Sequence, residues 1–208
     1  MKTIPLNRRA LLAGASGLLA TGCADLVGPP PSSKLYLLKP ALPQALAGAK
    51  VNWALSIQLP DTSAGLDSER IVIQRPPAGM DFYAGSAWPD RLPVLVQGAL
   101  LEAFEAGGRI AAVARDSDAA HADYYLATDL RDFEARYDEP DGVPTAVVRI
   151  GARMIVARTR DIAGYTEASR EVRASQNSVE AAVEALAAAL SEVLGEIVPW
   201  ALGMPSLR

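Results

Sequence analysis

The sequence predicts an α/β fold, a single-domain sandwich in which a mixed, largely antiparallel sheet is covered by two main amphipathic helices. Three observations predict it. Apolar residues recur at helical spacing in two long segments, which leaves two stripes to bury. Several other segments alternate apolar and polar residues with the period of a half-buried strand. The order along the chain is three or four strands, helix, three or four strands, helix, and helices laid on one sheet bury both kinds of face.

The first predicted strand is residues 35–38, stopped by Pro40. Residues 51–59 follow, with Val51, Trp53, Leu55, Ile57 and Leu59 alternating against Asn52, Ser56 and Gln58. Residues 69–75 form a third strand, ended by Pro76-Pro77, and Phe82-Tyr83 a brief fourth. The first helix spans about residues 88–106. Pro89 and Pro93 fall in its opening turns, where a missing amide proton costs little. Leu92, Leu95, Val96, Ala99, Ala103 and Phe104 form its stripe, and Gly107-Gly108 ends it.

Residues 110–114 read as a strand. Residues 123–137 make a long one whose apolar phase flips between Leu130 and Phe133, which predicts a bulge near Asp132. A polar turn at 138–142 joins it in a hairpin to residues 145–158. Residues 164–172 are amphipathic and largely polar, the pattern of an edge strand. In the last helix Asn177 and Glu180 have capping-box spacing. Val179, Val183, Leu186, Leu190, Val193, Leu194 and Ile197 line one side of it, with Glu180, Glu184, Glu192 and Glu196 off that stripe.

Ahead of this domain, residues 34–208, the composition changes abruptly. Lys2, Arg8 and Arg9 lead into an apolar run at residues 10–20, which suits a signal-peptide core and falls short of the ~20 residues needed to span a bilayer. The run ends in Leu19-Ala20-Thr21-Gly22-Cys23, with small residues before the only cysteine in the chain. This predicts that residues 1–22 are a lipoprotein signal peptide cleaved before Cys23, which becomes lipidated. Residues 23–33, with Gly28-Pro29-Pro30-Pro31-Ser32-Ser33, then form an extended tether. Asn7-Arg8-Arg9-Ala10-Leu11-Leu12 also resembles a twin-arginine signal, so the export route stays open.

Removing 22 of 208 residues leaves 186 and takes three cations with them, so the formal net charge moves from −4 to −7. An acidic domain suits neither nucleic acid nor electrostatic adhesion to anionic lipid, and membrane attachment falls to acyl chains such as palmitate. One cysteine leaves no disulfide within the chain, so stability rests on packing.

Chemistry-bearing motifs are sparse. His121 stands beside Asp118 and Asp123 without the second histidine or thiol that a compact metal site needs. It is also the only base open to a serine triad, and no Gly-x-Ser-x-Gly elbow follows residue 22. No phosphate-binding glycine loop is present. Asp129, Asp132, Glu134, Asp138, Glu139 and Asp141 cluster, but Arg131 and Arg136 interleave with them as on a charged strand surface. No catalytic residue, metal or cofactor is expected. Arg153, Arg158, Arg160, Arg170 and Arg173 give the C-terminal strands a basic bias, which is either a charged edge or a docking face for an acidic partner. The docking reading takes Tyr165 as an aromatic anchor, with Arg170 and Arg173 selecting acidic partners, on an edge able to pair with a partner strand.

Several segments together resemble the ABC-type transport auxiliary lipoprotein family (PqiC/YmbA-like). They are Leu35-Tyr36-Leu37-Leu38; Leu66-Asp67-Ser68-Glu69-Arg70-Ile71-Val72 with Arg75; and Tyr83 with Ser86 and Trp88. Leu92-Pro93-Val94-Leu95-Val96-Gln97 through Leu100, Leu101 and Phe104 follows, then Ala122-Asp123-Tyr124-Tyr125-Leu126 with Phe133. The arginine usual before the tryptophan is Ala87 here. The resemblance implies a periplasm-facing lipoprotein whose partners are an ABC permease, its ATPase and an MCE-domain protein in lipid traffic between membranes. It transfers no catalytic residue. A lipid carrier and a structural envelope lipoprotein are the competing readings, and homo-oligomer formation is a further expectation. Ala24, where an aspartate would signal inner-membrane retention, predicts the outer membrane.

Overall fold

The computed structural model describes residues 33–207 except 111, 119 and 140. The predicted signal peptide, Cys23 and all of the tether but Ser33 lie outside the described residues. The strands are β1 (Lys34–Leu35), β2 (Leu55–Ile57), β3 (Asp61–Thr62), β4 (Arg70–Arg75), β5 (Gly79–Ala87), β6 (Val113–Arg115), β7 (Tyr124–Arg136), β8 (Thr145–Val156) and β9 (Ile162–Arg173). The helices are α1 (Leu92–Gly107), between β5 and β6, and α2 (Val179–Leu202), after β9. No described helix is long and apolar enough to cross a membrane.

The nine strands of the described residues form one mixed sheet organised around β7. Along one side β7 pairs antiparallel with β8 over its whole length, and β8 pairs antiparallel with β9. Along its other side β7 receives three short parallel strands end to end: β2 beside residues 124–126, β3 beside 129–130 and β4 beside 135–136. β6 extends the sheet beyond β2, and β5 then β1 extend it beyond β4. The expected bulge is present, since the β7–β8 register shifts between Leu130 and Asp132. That shift lets both Leu130 and Phe133 reach the core, where each is buried.

The helices cover one face. On α2 the fully buried Leu190, Val193, Leu194 and Ile197 pack in the same core as Val148, Ile150 and Met154 of β8. Edge-to-face aromatic pairs fasten the segments that precede β2 and α1 to β7, Trp53 with Tyr124 at 5.2 Å and Trp88 with Phe133 at 6.2 Å between ring centres. The chain from Lys34 to Asn52 runs the length of α2 as a strap. Lys34 Nζ and Tyr36 Oη donate to Glu180 (2.7 and 2.8 Å), the Ala41 amide donates to Ser191 Oγ (2.8 Å), and Ser206 Oγ donates to Asn52 Oδ1 (2.5 Å).

The strands at the start of the chain and the first helix start depart from expectation. β1 is only two residues long, because beyond it the chain leaves the sheet for the strap. Within 51–59 only three residues are strand, since the Ala54 amide is taken by the Asp123 carboxylate (2.8 Å). Phe82-Tyr83 belongs to a nine-residue strand, held by its antiparallel ladder to β4 and by the Arg70 guanidinium over the Phe82 ring at 3.5 Å. β3 had no sequence signal. α1 begins at Leu92: the Trp88 amide donates to the Glu69 carbonyl (2.7 Å), which holds Trp88 and Pro89 outside the helix.

The cap of α2 is Ser178, whose Oγ accepts from the Ala181 amide, and not Asn177. Asn177 instead accepts the Tyr137 hydroxyl (2.9 Å) and donates to the Asp141 carbonyl, tying α2 to the β7–β8 turn. The Tyr137 hydroxyl pairs in turn with that of Tyr83 (2.8 Å). Burial, then that contact, pushes the Tyr83 phenol well above its ordinary value.

Candidate functional site

β9 is an edge strand: among the described residues it pairs with β8 alone. Its alternation places residues 164, 166, 168, 170 and 172 toward α2 and residues 165, 167, 169, 171 and 173 on the uncovered face of the sheet. The contacts agree. A Cβ on Gly164 would meet Met204 and Trp200 of the α2 end, and Ala168 is fully buried. Glu167 and Glu171 pair with Arg131 and Arg136 of β7 on the uncovered face.

This separates the three residues proposed from sequence. Tyr165 is on the uncovered face and 52 % exposed. Arg170 points the other way and holds β9 to α2, with Nη2 2.6 Å from Glu196 and Nε 3.3 Å from Glu192. Arg173 shares the face of Tyr165 and is exposed, but eight residues along a strand put it roughly 26 Å away. The three do not converge on one surface. Period two, applied to positions 165 and 170, already places them on opposite faces.

The uncovered face is a lattice of alternating charge over the bulged half of β7. Arg131 pairs with Asp129 (3.0 Å) and Glu167, Arg149 with Asp132 (2.5 Å), and Arg136 with Glu171 (2.7 Å) and Asp138 (3.5 Å). Gly151 gives the Arg131 guanidinium room, since a Cβ there would lie 3.4 Å from it. The acidic cluster read from sequence is this lattice, and the interleaved arginines are its partners. Glu134 sits within it, 8 % exposed. Burial, then the neighbouring Asp132 carboxylate, push its carboxyl above the ordinary value, against the pull of Arg136 and Arg149.

His121 is exposed, while Asp118 and Asp123 are spent on the amides of Arg115 and Ala54. Among the described residues no group of three or more His, Cys, Asp or Glu side chains is arranged to hold a metal ion. An open groove of about 600 Å³ lies between residues 37–40 and α1, lined by Leu37, Leu38, Val94, Leu95 and Ala99 with the charged Lys39, Arg115 and Glu102. The sequence carried no signal for it, because it forms where the strap crosses α1.

Comparison with known proteins bears on this geometry. An uncharacterised protein of Bradyrhizobium diazoefficiens is 31% identical over 164 residues, 76% of this chain, and the chain spans 42% of that relative's length. A crystal structure of a Xanthomonas campestris protein is 27% identical and superposes with a TM-score of 0.73, covering 80% of this chain and 94% of its own. A second crystal structure, 16% identical with a TM-score of 0.65 over 82% of this chain and 99% of its own, shares the fold. The profile of the ABC-type transport auxiliary lipoprotein components matches residues 36–198, from the strap through most of α2. The chain belongs to that family.

Proposed function

We propose that this protein is a non-enzymatic accessory lipoprotein of an ABC transporter that works with an MCE-domain protein in moving lipid, and that it acts by binding its partner subunits. The family match across residues 36–198 carries the association with ABC-type transport. Cys23 is the lipidated residue, the domain faces the periplasm, and Ala24 directs it to the outer membrane. The open edge of β9 is where a partner strand, or a second copy, adds to the sheet. Tyr165 is the anchor of that contact and Arg173 meets acidic groups at its far end, while Arg170 keeps β9 seated on α2.

The test is recovery of the mature lipoprotein from solubilised membranes. Permease, ATPase and MCE-domain protein should co-purify with it, and Tyr165→Asp should reduce their yield without lowering the melting temperature. A monomer that captures none of them favours the structural envelope lipoprotein. Cys23→Ala should leave an unprocessed precursor; processing and fractionation like wild type would remove the lipidation reading. The groove beside α1, lined by apolar side chains together with Lys39, Arg115 and Glu102, supports a second reading as a lipid carrier. Lipid co-purifying with the delipidated domain would favour it.

A further inference from the structure

Three arginines of the C-terminal strands cluster apart from the charge lattice, while Arg173, also without an ion pair among the described residues, lies alone at the far end of β9 in register with Thr145. Among the described residues, Arg153, Arg158 and Arg160 have no ion pair with any carboxylate, whereas Arg131, Arg136, Arg149 and Arg170 each have at least one. Arg153 lies on the uncovered face in register with Ala127 on one side and Tyr165 on the other. Arg158 and Arg160 form the tip of the β8–β9 turn, where the Arg160 amide donates to the Val156 carbonyl (2.8 Å). Arg160 has φ 66°, a left-handed conformation that favours glycine or asparagine, yet the position holds an arginine. Its guanidinium stacks over the Tyr125 ring at 4.9 Å. Beside them, Tyr165 and Ile162 are 52 % and 62 % exposed.

Unpaired arginines around two tyrosines and an exposed isoleucine have the composition of an interface core. Their place in the fold limits what they meet. The chain enters the domain at Lys34, against Glu180 at the first turn of α2, and the acidic turn of Asp138, Glu139 and Asp141 is tied to that same end through Asn177. The arginines lie at the other end, where the Tyr124 hydroxyl donates to the Pro205 carbonyl and Gly164 packs on Met204. The 24 residues of α2 separate the two ends by about 36 Å. Arg153, Arg158 and Arg160 outnumber Asp161, the exposed carboxylate of that turn, so this end is net positive, and it is remote from the point where a lipid tether joins.

We propose that this distal end is a docking surface for an acidic protein, held by Arg153, Arg158 and Arg160, with Tyr125 and Tyr165 covering apolar side chains of the partner. That the partner is a transporter subunit rests on the accessory-lipoprotein reading above; the surface itself rests on the geometry.

The test places a photo-crosslinking amino acid at position 158 or 165 of the full-length lipoprotein in its own membrane, with position 139 as the opposite-end control. The expected result is one identified protein adduct at 158 and 165 and none at 139. Its yield should fall at least tenfold in the Arg153→Glu, Arg158→Glu variant and should weaken as salt is raised. Arg160→Asn, which suits the turn, should lower the yield with an unchanged melting temperature, so loss of fold is not mistaken for loss of contact. Adducts to lipid alone, adducts to a second copy alone, no adduct, or a yield indifferent to charge reversal would each overturn the proposal. A charge-dependent adduct with a protein outside any ABC transporter would keep the surface and remove the accessory-subunit reading. Transporter subunits that co-purify but never cross-link at 158 would do the reverse.

Discussion

Leu190→Ala measures how much of the stability lies in the α2 stripe. Leu190 is fully buried where α2 meets the sheet, so truncation removes about three buried carbons, worth about 2.4 kcal/mol of transfer free energy at ~0.8 each. A residual cavity of some ~70 Å³ adds about 1.7 kcal/mol at ~24 cal/mol per Å³. The sum, about 4 kcal/mol, is inside the roughly 2–5 kcal/mol range for such substitutions. For a domain of this size each 1 kcal/mol shifts the melting temperature by about 2–4 °C, so a fall of about 8–16 °C is expected. Thermal unfolding followed by circular dichroism reads it, with Glu184→Ala on the exposed side as a control that should move by less than about 2 °C. A shift for Leu190→Ala no larger than the control's would mean that the stripe is not core and that its burial against the sheet has been misassigned.

Three other perturbations follow from polar groups in unusual settings. Thr128 is buried in β7 and its hydroxyl has no partner among the described residues, so Thr128→Val should gain about 1 kcal/mol; a lower melting temperature would show that the hydroxyl has an acceptor. Glu134 has a raised folded pKa, so its charge weakens the fold at neutral pH, and that penalty vanishes below the ordinary carboxyl value of 4.5. Glu134→Gln should therefore raise the melting temperature at pH 7 and not at pH 3.5, and an equal gain at both would refute the assignment. Glu180 is held down to about 2 by hydrogen bonds from Lys34 and Tyr36, so the strap contact is complete above pH 4.5 and is lost as pH falls toward 2. The carboxyl carbon of Glu180 should titrate accordingly by NMR and return toward 4.5 in Lys34→Ala; titration near 4.5 in the unsubstituted protein would mean that the contact does not form in solution.

The parts of this fold that could be read from sequence are those where one face alone is buried. The α2 stripe, the β7–β8 hairpin and the bulge near Asp132 all show as a phase of apolar residues, and each lies where that phase put it. β2 and β3 are different, because they are short parallel strands held by the side of β7, and their ends are set by contacts such as Asp123 with the Ala54 amide. Such contacts join residues far apart in sequence and leave no local pattern. The cap of α2 misled for a similar reason: Asn177 and Ser178 are both good caps, and the choice falls to Ser178 because Tyr137 claims Asn177. At the candidate site the basic bias was visible as a run of arginines, and period two already separated Arg170 from Tyr165, but which arginines have a carboxylate partner was not visible. Only the tertiary structure shows Arg170 paired with Glu192 and Glu196, Arg131, Arg136 and Arg149 in the lattice, and Arg153, Arg158, Arg160 and Arg173 without an ion pair among the described residues.

That division separates two surfaces that meet at one place. A strand adding to the free edge of β9 would run beside residues 162–173, while a partner at the distal end would cover the turn and the face around Arg153. Tyr165 belongs to both, so Tyr165→Asp cannot tell them apart. The ends can. Arg173 pairs in register with Thr145, at the far end of β9 from the turn, and Arg158 is at the turn itself. If binding proceeds by strand addition, Arg173→Glu should weaken capture of partners while Arg158→Glu leaves it unchanged. If it proceeds through the distal face, the two effects should exchange. Equal sensitivity to both would mean that one partner spans about 30 Å of edge and face together, and insensitivity to both would place the binding surface elsewhere on the domain.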